Sequence, residues 1–211
     1  MLKFFNFASL IVVIFFLTFI RCTKSNSPIS QLDSSYIPNP NIDIPLEVGN
    51  EWIYSVFDTV TNYTDTVEVL ITEYSYQAKY DYKIRASWYY WSDGFVYSVN
   101  IQLKGDTLYF PFPGFSGNKF IFPLSVGNSW KTNSGEYYVK SQDSLHVPFA
   151  FFESSFNIQS YLWEPNCMVK KNIYLVPSIG IVKMYYYWYC TFSGPVYKRC
   201  YELILSNIEG K

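Results

Sequence analysis

Histidine is nearly absent from this sequence of 211 residues, in which His146 is the single example. Cys-x-x-Cys pairs, glycine-rich phosphate loops and the nucleophile motif Gly-x-Ser-x-Gly do not occur. These absences argue against a zinc site, a phosphate-binding loop and a histidine-based catalytic triad. Charged residues make up 16% of the chain, and no basic run suits a nucleic acid backbone. We therefore predict no enzyme activity, no metal or other cofactor, and no nucleic acid partner.

Apolar residues at helical spacing are also missing, because no stretch longer than a turn shows the i, i+3, i+4 pattern. Aromatic residues make up 21% of the chain and favour the pleated surface of strands. Residues 80–88 alternate between an apolar face and a largely charged one, and Asp93-Gly94 then signals a tight hairpin. We predict an all-β fold of antiparallel meander sheets, arranged as a sandwich or an open half-barrel.

An internal repeat organises the chain. The segment 45–52, PLEVGNEW, returns at 123–130 as PLSVGNSW, with six of eight positions identical at an offset of 78 residues. In each copy a proline and a Gly-Asn turn lead to a tryptophan at the start of an extended run. The repeat predicts two related halves with equivalent turns and equivalent buried tryptophans. Its structural positions are Gly49, Trp52, Gly127 and Trp130.

The N-terminus carries a targeting signal. Residues 4–20 are almost wholly apolar and lie between Lys3 and the pair Arg21-Cys22. This layout is typical of a secretory signal, and Cys22 resembles the lipid-modified cysteine of bacterial lipoproteins. Arg21 stands where a small residue is usual, so an uncleaved anchor and simple secretion remain alternatives. Each version places the rest of the chain outside the cytoplasm.

The domain organisation follows from these two features. We predict a signal peptide at 1–21, a lipidated cysteine with a flexible tether at 22–43, and a single β domain at 44–211 with halves 44–121 and 122–211. Without the signal peptide, 14 basic and 17 acidic residues leave a net charge of −3. The predicted location is the cell envelope, as a periplasmic or outer-membrane lipoprotein, with the membrane as a partner through the N-terminal lipid.

Two motifs carry a resemblance to a known group of proteins. They are the repeated Pro-Leu-x-Val-Gly-Asn-x-Trp and the segment 174–183, YLVPSIGIVK. Together they resemble a loose group of uncharacterised secreted bacterial β-rich lipoproteins, over roughly residues 44–185. The resemblance implies an envelope location and a β fold, and it implies no activity.

Three cysteines follow Cys22, and disulfides are permitted outside the cytoplasm. Cys190 and Cys200 flank a Ser-Gly-Pro turn, and a hairpin centred near Pro195 places them opposite one another. We therefore predict a disulfide between Cys190 and Cys200, with Cys167 as the free thiol. Pairing of Cys167 with either partner, and three reduced thiols, remain alternatives.

Two aromatic clusters lead into turns, at 88–91 and 185–189. Because neighbouring residues of a strand point to opposite faces, each cluster places aromatic side chains on both sides of its sheet. One side suits the core, and the other suits stacking against a sugar or a protein partner. The plain alternative is that an aromatic-rich chain simply fills its sheets. Our candidate ligand contacts are Trp88, Tyr90, Tyr185, Tyr187 and Tyr189.

These observations predict a cell-envelope lipoprotein with a non-catalytic β-rich binding or structural domain, which contacts a glycan or an envelope protein. One alternative is a carrier whose half-barrel holds an apolar ligand against the five phenylalanines of residues 110–122. A second alternative is an envelope hydrolase. It needs either His146, which has Asp143 nearby, or clustered carboxylates in a cleft.

Overall fold

Twelve β-strands form the regular structure of the computed structural model, which describes residues 42–78, 81–92, 94, 96–111, 118–132, 135–164 and 166–208. No helix occurs within these ranges. The predictions of an all-β fold and of an antiparallel meander are confirmed. The predicted signal peptide, Cys22 and nearly all of the tether lie outside the described residues.

The strands divide into two sets of six along the chain. The first six are β1 (Glu51–Asp58), β2 (Tyr63–Ala78), β3 (Asp81–Tyr90), β4 (Val96–Lys104), β5 (Thr107–Phe110) and β6 (Asn118–Ile121). The second six are β7 (Ser129–Thr132), β8 (Gly135–His146), β9 (Phe151–Glu164), β10 (Cys167–Val176), β11 (Gly180–Cys190) and β12 (Gly194–Ser206).

All twelve strands belong to one sheet, in the order β6-β5-β4-β3-β2-β1-β12-β11-β10-β9-β8-β7. Each set of six is an antiparallel meander, and the two meanders join where β1 pairs with β12. β6 and β7 are consecutive along the chain but form opposite edges of the sheet. The sheet therefore folds over itself, and the Trp130 indole of β7 donates a hydrogen bond of 2.8 Å to the Lys119 carbonyl of β6.

The two copies of the repeat have the same backbone geometry. Gly49 and Gly127 have φ angles of 94° and 91°, which glycine adopts without steric cost. The Gly49 amide donates a hydrogen bond of 2.9 Å to the Ile71 carbonyl of β2. In the same way, the Gly127 amide donates a bond of 2.9 Å to the Val139 carbonyl of β8. Each copy thus ties its turn to the second strand of its own meander.

The repeated tryptophans connect distant parts of the sheet. Trp52 is 2% exposed and donates its indole N–H to the Ile179 carbonyl at 2.7 Å. Trp130 is 8% exposed, and its ring stacks on Tyr137 with centroids 5.5 Å apart. In both cases the indole N–H finds a backbone acceptor outside its own hairpin, as a buried tryptophan requires.

Strand alternation places the core as the sequence predicts. On β3, Tyr82, Ile84 and Ala86 are buried, whereas Lys83 and Arg85 are exposed. Within the folded sheet, the buried faces of the two layers meet and exclude water from one continuous core. The space between β1, β5, β6 and β11 measures about 10 Å³, which is close to the volume that one water molecule needs.

The segment that the apolar-carrier alternative requires is core where the structure describes it. Phe110, Phe120 and Phe122 are buried, and the first two line the space of about 10 Å³. The other two phenylalanines of that segment, Phe112 and Phe115, lie outside the described residues. The described phenylalanines of the segment therefore belong to the core.

The predicted pairing of Cys190 with Cys200 is wrong, because Cys190 forms a disulfide with Cys167 and Cys200 is the free thiol. The hairpin between β11 and β12 turns at residues 191–193, earlier than we predicted. This register places Cys190 opposite Gly194 and leaves Cys200 opposite another residue of β11. On its other side, Cys190 is the direct cross-strand partner of Cys167 in β10.

Candidate functional site

Three of the five predicted ligand contacts share one face of the sheet. Tyr185, Tyr187 and Tyr189 occupy alternate positions of β11, so their side chains point to the same side. The residues between them turn inward, and Tyr186 is buried. Tyr185 is 41% exposed and Tyr189 is 37% exposed. This side, which also carries Tyr161 of β9 and Tyr174 of β10, is called the tyrosine face below.

The other two predicted contacts lie on β3 and do not join this face. Tyr90 stands opposite the buried Val67 and packs against the core. Its ring contacts Tyr97 edge to face, with centroids 5.9 Å apart. Burial, more than any neighbouring charge, raises the pKa of the Tyr90 hydroxyl. Trp88 is also on β3, and its side chain lies outside what the structure describes.

The strand register brings lysines and amides to the tyrosines. Tyr187 lies directly between Lys198 of β12 and Lys170 of β10. Tyr185 lies between Cys200 and Asn172 in the same manner. Because direct cross-strand neighbours have Cβ atoms about 4.5–5.5 Å apart, these side chains are within contact distance.

A surface cleft of about 520 Å³ runs along β10, β11 and β12. It is large enough for a small-molecule ligand, since such sites measure about 300–1,000 Å³. Two of the predicted residues, Tyr185 and Tyr187, belong to its wall. The lining residues are Thr59, Lys170, Asn172, Tyr185, Tyr186, Tyr187, Lys198, Arg199 and Cys200.

Cation–π contacts hold parts of the tyrosine face in place. The Lys170 ammonium lies 5.4 Å from the centre of the Tyr161 ring, and the Lys183 ammonium lies 5.0 Å from that of Tyr185. Lys183 also forms an ion pair with Glu202 at 2.5 Å. Burial acts to lower the pKa of Lys183, but the hydrogen bonds to Glu202 and Tyr185 outweigh it, and the pKa is raised. Lys183 is therefore charged at neutral pH.

Amide groups complete the chemistry of this face. The Oδ1 atoms of Asn172 and Asn157 are buried and accept no hydrogen bond from the described part of the protein. Asn172 borders the cleft, and Asn157 is the direct partner of Tyr174. A buried polar atom without a partner costs about 1–3 kcal/mol, so each amide has a free energy to gain from a hydrogen-bonding ligand.

Cys200 is unsuited to act as a nucleophile in this cleft. Its side chain is half-buried beside Tyr185. Burial first, and then the charge of Glu202, raise the pKa of its thiol to about 11. The reactive thiolate is consequently scarce at neutral pH. The residue contributes shape and not chemistry.

The histidine on which a hydrolase could depend lies apart from the cleft. His146 is exposed at the end of β8, where it pairs with Phe151 of β9. Asp143 is exposed on the same strand. Within the described ranges, no three His, Cys, Asp or Glu side chains form a group that could hold a metal ion. The cleft holds neither a histidine nor a carboxylate to act as an acid or base.

Buried charges occur on the inner side of the sheet. Asp58 is fully buried and pairs with Arg199 at 3.0 Å. Burial acts to raise the pKa of this carboxyl, but its hydrogen bonds from the Val60 amide and Arg199 outweigh burial, and the pKa lies below its usual value. These two residues join β1 to β12, so their role is structural.

Lys171 is the second buried charge, at 1% exposure. Its ammonium donates a hydrogen bond of 2.8 Å to Asn118 Oδ1, which joins β10 to β6 across the folded sheet. Burial lowers the pKa of Lys171 to about 8. Sequence reasoning missed Lys171, although it is one of two adjacent lysines on β10.

Sequence reasoning also missed Lys170, Lys198 and Asn172. Each occupies an outward position of β10 or β12 in the structure, but the predicted strand began only at Ile173, so Lys170 and Asn172 lay outside it. Their proximity to the tyrosines depends on the pairing of β10, β11 and β12.

The part of the chain that the structure describes contains no helix with the length and hydrophobicity of a membrane span.

Two solved structures share this fold. One, from Bacteroides fragilis, is described as an exported protein with a YmcC-like fold. Its alignment with this chain covers 79% of this chain and 99% of the other, with 11% sequence identity and a TM-score of 0.51. The other, from Parabacteroides distasonis, is described as a lipoprotein, with the same coverage and identity and a TM-score of 0.50. No family model and no curated protein matches the sequence. The likeness to these two structures shows a shared fold.

Proposed function

We propose that this chain is a cell-envelope lipoprotein, held outside the cytoplasm by a lipid on Cys22, whose β domain binds a glycan without catalysis. The location is supported by the signal-like N-terminus and by the descriptions of the two structural neighbours as exported and as a lipoprotein. The same features support the resemblance to secreted β-rich lipoproteins that the repeat suggests.

One observation carries the binding function: co-facial tyrosines border a cleft of about 520 Å³ next to Asn172, whose Oδ1 atom has no hydrogen-bond partner among the described residues. A sugar ring has apolar C–H faces and hydroxyls around its edge. Tyrosine rings offer an apolar surface to the C–H faces, and amides and tyrosine hydroxyls form hydrogen bonds with the sugar hydroxyls. Tyr185, Tyr187 and Asn172 provide both at one place.

The position of the cleft suits a tethered protein. The described chain begins at residue 42, shortly before β1. This segment lies at the end of the sheet that carries the β10–β11 turn, because Ser178 of this turn donates a hydrogen bond to Asp43. Tyr189 lies close to the opposite end, beside the disulfide-bonded Cys190. The described chain thus enters β1 at the sheet end that lies away from Tyr189.

The binding proposal is tested on an array of bacterial and plant oligosaccharides with the purified protein, its disulfide intact. Tyr185→Ala and Tyr187→Ala should each weaken binding of any ligand found by at least about fivefold, since aromatic contacts contribute roughly 1 kcal/mol or more. Tyr109→Ala is the matched control, because Tyr109 is 37% exposed on β5, away from the face.

Loss of binding in Tyr109→Ala as well as in the two face variants means that the binding is not local to the cleft. Absence of any oligosaccharide ligand, together with capture of an envelope protein that Tyr187→Ala abolishes, replaces the glycan by a protein partner.

The anchor has its own test, the intact mass of the protein from its membrane fraction. A mass of residues 22–211 plus a diacylglyceryl and an acyl group supports lipidation, and a retained 1–21 segment refutes it.

A further inference from the structure

The two lysines that flank Tyr187 are not neutralised by carboxylates. Lys170 and Lys198 take part in none of the ion pairs found among the described residues. The lining of the cleft contains these lysines and Arg199 but no aspartate or glutamate, and Arg199 already pairs with Asp58. The cleft therefore has an uncompensated positive charge on each side of a tyrosine.

The acidic residues of the neighbouring positions are already paired. Glu202 binds Lys183, and Glu136, the cross-strand partner of Tyr161, binds Lys131 at 2.6 Å. Neither glutamate is left to compensate Lys170 or Lys198. The whole chain has a formal net charge of −1, so a positive cleft is a local property and does not follow from composition.

We propose that the cleft selects an acidic saccharide, with a sugar ring on Tyr187 and its carboxylates at the ammonium groups of Lys170 and Lys198. This inference rests on the proposed glycan-binding function and names the chemical class of the ligand. Lys170 and Lys198 are on the strands on either side of β11, so they are about 10 Å apart across the sheet. A sugar ring that stacks on Tyr187 therefore has a lysine on the neighbouring strand on each side.

Hydrogen-bond chemistry supports the same ligand class. A lysine ammonium has three donors and no acceptor, so it binds a carboxylate better than a neutral hydroxyl. The Asn172 amide remains for the sugar hydroxyls.

The experiment compares a panel of uronate-containing oligosaccharides with the carboxyl-reduced form of each, which has the same linkages and no charge. The protein is the purified full chain with its disulfide intact. Affinity is measured by calorimetry at about 20 mM and about 300 mM NaCl, across which the Debye length falls by several-fold. We expect the acidic form to bind about tenfold more tightly at low salt, with a preference that shrinks at high salt.

The double variant Lys170→Gln/Lys198→Gln should lose this preference, measured as the ratio of its affinities for the acidic and the reduced form of each oligosaccharide. The control is Lys83→Gln/Lys104→Gln, which removes the same charge from exposed positions of β3 and β4. The control should keep the full preference for the acidic form. The wild-type salt dependence tests the proposal without any variant.

Equal wild-type affinity for the acidic and reduced forms overturns the inference and leaves the glycan-binding function intact. Loss of the preference in the control variant also overturns it, since overall charge and not the cleft is then responsible. If neither form of any oligosaccharide binds, the proposed function fails and the inference fails with it.

Discussion

Replacing the buried Lys171 with methionine should remove a pH-dependent contribution to the free energy of unfolding. Burial lowers the pKa of Lys171 from 10.5 to about 8 in the folded protein. Between these two values the unfolded chain binds more protons at this residue than the folded chain does. The stability of the wild type therefore rises with pH in this window, and the destabilising effect of the buried charge is complete below pH 8.

The magnitude follows from the two pKa values. Their difference corresponds to about 3 kcal/mol of destabilisation at pH 7, of which about 2 kcal/mol is relieved by pH 9.5. Methionine fills a similar volume without the charge, but it leaves Asn118 Oδ1 without its donor, which costs about 1–3 kcal/mol. At pH 7 these two effects nearly cancel. The difference in free energy of unfolding between the variant and the wild type should therefore change by about 2 kcal/mol from pH 7 to pH 9.5, to the disadvantage of the variant.

The assay is urea unfolding at several values between pH 7 and 9.5, followed by tryptophan fluorescence. Several tyrosines also have raised pKa values through burial, but they are common to both proteins and cancel in the difference. Lys83→Met, at an exposed position of β3, is the control and should show no such slope. Parallel pH profiles of wild type and Lys171→Met would show that Lys171 is not buried in its charged form.

Two further predictions concern the repeat and the disulfide. Trp52→Ala and Trp130→Ala should each lower the free energy of unfolding by about 3–5 kcal/mol, measured by thermal melting; an unchanged transition in either variant contradicts the role of the repeat in the core. Reduction of the Cys167–Cys190 disulfide, with a sequence separation of 23, should cost about 3 kcal/mol in urea unfolding. In Cys200→Ser, reduction should lower the free energy of unfolding by the same amount. If reduction no longer destabilises this variant, Cys200 takes part in the disulfide.

Much of the fold could be predicted because its signals are local. Alternation of side chains assigned Tyr82 and Ile84 to the buried face of β3, and the structure agrees. The turns of the repeat were recognisable because glycine tolerates the positive φ that Gly49 and Gly127 adopt. These features depend on a few neighbouring residues and hardly on the rest of the chain.

The candidate site was only partly predictable. Tyr185, Tyr187 and Tyr189 share a face because their spacing is two, a property of any strand. Tyr90 was also predicted as a ligand contact, but it is partly buried and packs against the core. An aromatic cluster has two faces, and composition cannot say which of them a second layer will cover.

The sequence by itself determined the all-β class, the alternation of β3 and the equivalent turns of the repeat, because the geometry of a strand and of a glycine turn is local. Only the tertiary structure decided which residues are neighbours across strands. With the turn at residues 191–193, Cys190 forms its disulfide with Cys167 and not with Cys200. The same register places Lys198 beside Tyr187. Register depends on turn geometry and on burial across the whole sheet, so a shift of a few residues exchanges every cross-strand partner while the alternation along each strand stays the same.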